Sequence, residues 1–335
     1  MIRVLTALLL CAIAAAPGNP EESARTASVF ASFESNGQPA SQAVVPPAAQ
    51  LSVSVDGKPA IVEGVSRVSD RASVLLLVDL TWTTTRGEHP AQAAEIAQLK
   101  ADLPRIASPW RPMVFPGLIR GMEKALLPLV GPDDHLGVGS FAGQRLTFSR
   151  GFASTPADRL TAFKEVISAD VVSLADWYGP ARIWDAVAAG ARQFPVDSTF
   201  RSIVLVTDGQ ASGNRLGHAD AIRAAVAQGV VVHVVCQKSW WDSSIAPPGE
   251  TFVKPLADET GGLLRLDDAL ERDPWDKPTR IFRDILDAIH NTYEIRLNVT
   301  DGAEGVHPLE VRTHVPNLQV HAPRWLQIGA PRPDR

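Results

Sequence analysis

Cysteine is scarce in the chain, which has two. One of them, Cys11, lies in an apolar run near the N-terminus, so a processed chain would keep Cys236 alone and could form no intrachain disulfide. Cys236 closes the stretch VVVHVVC, a setting that suits a small buried hydrophobe better than a reactive thiol. No His-Glu-x-x-His pair is present, which removes the usual geometry of zinc hydrolysis. There is no Gly-x-Ser-x-Gly elbow and the eight histidines are scattered, so a serine nucleophile has no evident base and no catalytic residue is assigned. Gly137 and Gly139 sit inside the apolar run LGVGSF with no phosphate-binding Lys-Ser after them, and read as close packing. A strong excess of one charge is missing too. A net charge of -5 and a pI near 5.9 argue against electrostatic binding of nucleic acid.

Apolar residues are abundant. At 45% hydrophobic and 21% charged, the chain can bury a core and divide into one or two domains. Met1 and Arg3 precede VLTALLLCAIAAA, a run too short to span a bilayer, which takes about 20 apolar residues. It ends in small residues and reads as a cleaved export signal over residues 1–16, placing the protein in the periplasm or outside the cell. Leu8-Leu9-Leu10 before Cys11 make a poor lipid-attachment box, so a lipid anchor is not expected. No membrane-spanning run follows the signal.

Residues 17–50, rich in Pro, Ala, Ser and Glu, read as a loose linker. In residues 51–71 LSVSVDGKPAIV alternates with period two around Asp56-Gly57, a hairpin signal. Residues 72–290 form the main domain, with core strands at SVLLLVD, LGVGSFAG, SIVLVTD, VVVHVVC and GGLLRL. Unbroken apolar runs suit strands covered on both faces. Between them, helical spacing is expected over Pro90 to Leu103, Gly117 to Val130, from Ala157, Asp185 to Phe194, Ala219 to Ala227 and around Phe282 to Ile289. Residues 291–327 return to strand patterning and are expected to pack with the hairpin, leaving 328–335 as a tail. This alternation predicts a doubly wound α/β fold, a mostly parallel sheet flanked by helices, with a small accessory β region built from N- and C-terminal segments.

Ligands of such sheets sit beyond the carboxyl ends of the strands. Asp79 ends one core strand and is followed by Thr81 and Thr83; Asp208 ends another. Oxygen donors of this kind suit a hard cation such as Mg2+. The same residues have plainer uses, with Asp79 and Thr83 capping a helix and Asp208 fixing a turn with Gly209.

The order Asp79-x-Thr81-x-Thr83, then SIVLVTDG around Asp208, resembles the von Willebrand factor type A domain. With FVKPLADETGGLLRLDD and the Tyr293-containing entry to the last strands, the chain is similar to the bacterial exported group of that family over roughly Leu51 to Leu326. The resemblance implies a Rossmann-like fold and a metal-ion-dependent adhesion site, with Asp79 as first acid, Thr81 and Thr83 in place of serines, and Asp208 as the third-loop acid. In GPARIWDAV the family's threonine position falls on Ala181, which has no side-chain oxygen, so the implied site is degenerate. Thr84 stands where the family usually has methionine. The segment RGEHPAQAAEIAQLKADLPRIASPWRPM lengthens the first loop.

Eight tryptophans against two tyrosines make a skewed aromatic set. Trp82, Trp110 and Trp184 are expected at the rim of the site, where grouped indoles would form an apolar recognition surface. The function expected is that of an exported binding or adhesion-type protein with a protein partner and no catalytic turnover. The alternatives are a scaffold of an envelope assembly, engaging partners through edges at Leu51 to Val55 or His307 to Val315, and a hydrolase.

Overall fold

The computed structural model describes residues 25–35, 45–68, 71–81, 84, 122–167, 172–237, 249–267, 276–300 and 303–329. In chain order the strands are β1 (Arg25–Ser35), β2 (Leu51–Val55), β3 (Lys58–Arg67), β4 (Ala72–Asp79), β5 (His135–Ala142), β6 (Arg145–Phe148), β7 (Phe200–Thr207), β8 (Val230–Gln237), β9 (Leu264–Asp267), β10 (Thr292–Val299), β11 (Gly305–Thr313), β12 (Leu318–His321) and β13 (Trp325–Ile328). The helices are α1 (Pro156–Val166), α2 (Leu174–Trp177), α3 (Ile183–Gly190), α4 (His218–Ala227), α5 (Gly249–Thr260) and α6 (Asp276–His290).

The central sheet has the order β6-β5-β4-β7-β8-β9, with β4, β5, β7, β8 and β9 parallel and β6 antiparallel at one edge. Counted within the sheet, this is the doubly wound order 3-2-1-4-5-6, whose direction reverses between β4 and β7. The expected fold class is the one adopted. β4 is buried along its length because both faces are covered. Val74, Leu76 and Val78 pack with Met122, Phe163 and Phe282 on one side; Leu75 and Leu77 pack with Val187, Ala221 and Val253 on the other. The strand's alternation is invisible in sequence because both faces are apolar.

The helices that cover the sheet have legible causes. Pro156 opens α1, and the Thr155 hydroxyl accepts the Asp158 N–H at 3.2 Å as its N-cap. In α6, Ile281, Phe282, Ile285, Leu286 and Ile289 line one face and are all buried. The expected helix from Gly117 to Val130 is not α-helical where it is described. A π-turn at Met122–Leu126 gives way to a 3-10 turn at Leu127–Leu129, since Pro128 has no N–H to give and its ring clashes with the preceding turn. The helix expected over Pro90 to Leu103 lies outside the described residues. Gly139 is the packing glycine it was read to be: a Cβ there would lie 2.7 Å from the Phe148 ring.

A second, antiparallel sheet has seven strands in the order β12-β1-β10-β3-β2-β11-β13. It is not small. The reason is β1, which lies in the stretch expected as a loose linker. Its sequence RTASVFASFES carries Ala27, Val29, Ala31 and Phe33 on one buried face. The intervening serines and the small size of alanine hid that period, and pairing with β10 on one side and β12 on the other supplies the remaining order. The β2–β3 hairpin turns at Asp56 and Gly57, both with positive φ, which suits the strand twist. β2 lies between β3 and β11, and β11 pairs with β2 over Leu309 to Thr313 and with β13 over Gly305 to Pro308, so both stretches invoked for a scaffold role are already engaged in pairing; the sheet ends in the four-residue strands β12 and β13. Phe30 of β1 meets Phe200 of β7 at 5.4 Å between ring centroids, joining the two sheets.

Candidate functional site

The reversal between β4 and β7 leaves a gap at their carboxyl ends, and the chain places acids there. Asp79 is the last residue of β4 and Asp208 follows β7; their side chains are 0% and 1% exposed. Asp79 Oδ1 accepts the Thr81 N–H at 3.0 Å and the Thr81 hydroxyl at 2.7 Å, while Oδ2 accepts the Thr207 hydroxyl at 2.8 Å. Thr207 Oγ1 in turn accepts the Gly209 N–H at 3.1 Å. From the other loop, the Asp208 N–H donates to Thr84 Oγ1 at 3.2 Å and Asp208 Oδ1 accepts the Gln210 N–H at 3.0 Å. Asp208 thus fixes the turn that follows it through the Gln210 N–H, and Asp79 holds the turn into Thr81. These contacts explain each acid locally but not why two carboxylates share one buried pocket.

That sharing has an electrostatic cost. Burial, and after it the negative charge of Asp208, push the Asp79 carboxyl up to about 7, against hydrogen bonds from Thr81 and Thr207 that favour the ionised form. No basic side chain contributes to lowering it. Asp79 is thus set to keep a proton near neutrality.

The donor set fits a hard ion in kind. Carboxylate and hydroxyl oxygens suit Mg2+, whereas zinc sites favour nitrogen and sulfur, and the described residues contain no group of three or more His, Cys, Asp or Glu side chains that would hold a metal. Ala181 is buried at 3% exposure. Its N–H donates to the Ser212 hydroxyl at 3.1 Å, and the Ser212 N–H returns to the Ala181 carbonyl at 2.9 Å. The middle loop is therefore tied to the loop after β7 through backbone groups at the position where a threonine side chain was expected.

Thr83, Trp82 and Trp110 lie outside the described residues. Trp184 was expected on the rim and is instead core: only 8% of it is exposed, and its ring sits 6.3 Å from that of His218 at 62°. It falls in the first turn of α3, where helix and sheet close over it, and its backbone N–H donates to Asn214 Oδ1 at 2.8 Å. Thr207, Ser212 and Asn214 were not singled out in the sequence. Thr207 had a signal, a hydroxyl directly before Asp208 on a strand parallel to β4; the other two act only through loop-to-loop contacts.

No protein-family model matches the sequence, and no curated protein matches it. Among solved structures, BatB from Bacteroides thetaiotaomicron is similar at 18% identity over 64% of this chain and 97% of that chain, with a TM-score of 0.42. Proximal thread matrix protein 1 from the mussel byssus is similar at 16% identity over 81% and 51%, with a TM-score of 0.44. The SpRpn10 VWA domain is similar at 8% identity over 63% and 93%, with a TM-score of 0.36. These are distant likenesses of shape, and the fold described above stands on this chain's own strand order and connections. No helix among the described residues is long and apolar enough to cross a membrane.

Proposed function

We propose that the protein is an exported binding protein of the von Willebrand factor type A kind, which recognises a protein partner at the strand-end loops without turnover. The observation that carries this reading is the buried pair Asp79 and Asp208, brought together from two loops at the point where the sheet order reverses and supplied with threonine hydroxyls. Asp79, Thr81, Thr83 and Asp208 would hold a Mg2+ ion, with water in the place left by Ala181. The ion would offer its open positions to an oxygen of the partner. A protein that acts by recognition needs no nucleophile or base, and the sequence offers none in a working pattern.

The scaffold alternative is weaker, because β2 and β11 already pair with each other and, over part of their length, with β3 and β13, whereas strand addition needs free backbone donors and acceptors.

Titration of the processed chain with Mg2+ and Mn2+ at about pH 8, read by calorimetry and by melting temperature, tests the reading. Saturable binding that raises the melting temperature and is lost in Asp208→Ala is expected; ion present at about 100 times its Kd would add about 2.7 kcal/mol. No binding at tens of millimolar ion, or binding unchanged in Asp208→Ala, would reject the cation site.

A further inference from the structure

A second charged feature lies beside the strand ends and plays no part in the carboxylate pair. A cleft of about 400 Å³ opens between the β5–β6 hairpin, α3 and the loop after β7. Four arginines line it: Arg145 from β6, Arg182 just before α3, Arg192 just beyond its end, and Arg215 from the loop. Among the described residues its one acid, Asp185, turns its carboxylate to the backbone, accepting the Arg215 N–H at 3.0 and 3.1 Å and the Leu216 N–H at 2.9 Å. Arg145, Arg182 and Arg215 form no ion pair with any described acid. Arg182 Nε is buried and has no hydrogen-bond acceptor. Two of the exposed large apolar side chains, Leu146 and Leu216, also line this cleft.

Arg145, Arg182 and Arg215, like charges gathered in one concave site with no ion pair to a described acid, repel one another and focus a positive potential. The rest of the chain runs the other way, at a net charge of -5. Arginine forks match carboxylates two bonds at a time and tolerate desolvation better than lysine. Exposed leucines beside them add apolar surface that a bare phosphate or a polyanionic sugar would leave wet. The geometry points to a docking site for an acidic protein segment, one in which glutamates or aspartates engage the arginines and an interposed apolar side chain covers Leu146 and Leu216. This deepens the proposed binding role and rests on it for the claim that the protein is a binder, but it does not require the cation.

The test uses the processed chain and a fluorescein-labelled peptide, Glu-Glu-Leu-Glu-Glu-Leu-Glu-Glu, followed by anisotropy at low salt. The peptide is expected to bind, to weaken as salt is raised, and to lose about tenfold or more in affinity in Arg182→Gln/Arg215→Gln. A matching peptide with lysine for glutamate should not bind. Because Arg182 is partly buried, Arg145→Gln/Arg215→Gln serves as a second variant, and melting curves check that both fold. Peptide that fails to bind, binds both variants as it binds the parent, or is displaced equally well by inorganic phosphate would overturn the proposal. Asp79→Asn separates the two sites: it should abolish the Mg2+ response and leave peptide affinity unchanged. Loss of peptide affinity in Asp79→Asn with none in the arginine variants would place the peptide at the carboxylate pair and overturn the cleft. Peptide binding with no Mg2+ response in the parent would reject the cation alone.

Discussion

Asp79 holds its proton more tightly in the folded chain than in the unfolded one, and the sign of that difference sets how it acts on stability. Between its ordinary value of 3.8 and about 7, the folded state keeps a proton that the unfolded chain has released. The stabilising contribution is therefore full below 3.8 and is lost as pH rises through 7. His233 works in the opposite direction. Burial first, then the positive charges of His321 and Arg265, lower it from 6.5 to about 3, so its contribution is lost as pH falls below 6.5. The two oppose each other over much the same range, and only a difference measurement separates them. Asp79→Asn keeps the shape and removes the buried charge. In urea unfolding without divalent ions it is expected to gain stability over the parent on moving from about pH 5 to about pH 8, by on the order of 2–4 kcal/mol. A difference that stays flat with pH would mean that burial does not raise the Asp79 carboxyl in the folded chain.

At the scale of the element, β1 carries the sharpest expectation because its importance is hidden in its composition. Phe33 is 1% exposed, packs against Tyr293 at 5.6 Å between ring centroids, and belongs to the core of the seven-stranded sheet. Phe33→Ala is expected to cost about 3–5 kcal/mol by denaturant unfolding, whereas a side chain in a solvated linker would cost almost nothing. β4 shows the opposite case. Its run of apolar residues announced a strand buried on both faces, while the register that sets Asp79 beside Phe141 and Val78 beside Val206 depends on partners far away in the chain. The π-turn at Met122–Leu126 belongs here too: apolar spacing suggested a regular helix, and Pro128 decided otherwise.

Over the whole molecule, the chain folds back on itself. β1, β2 and β3 precede the parallel sheet and β10 to β13 follow it, yet the two groups interleave in one sheet, with β10 between β1 and β3 and β11 beside β2. A chain ended after His290 would leave β1 and β3 without the neighbour between them and would uncover Val29, Phe33 and Val53. It is expected to lose the antiparallel sheet as a unit, seen as a lower melting temperature and reduced β signal by circular dichroism, and a melt unchanged by the truncation would contradict this. The sequence by itself determined the fold class, the core strands and the two acids at strand ends, because buried parallel strands demand unbroken apolar runs and an acid at the end of such a run stands out against them. Only the tertiary structure decided that Trp184 is core, that a serine-rich stretch becomes a strand paired on both sides, and that Arg145, Arg182, Arg192 and Arg215 line one cleft. Burial and charge density are properties of neighbours in space, and for these residues the neighbours are brought together by loops and pairings that no local pattern encodes.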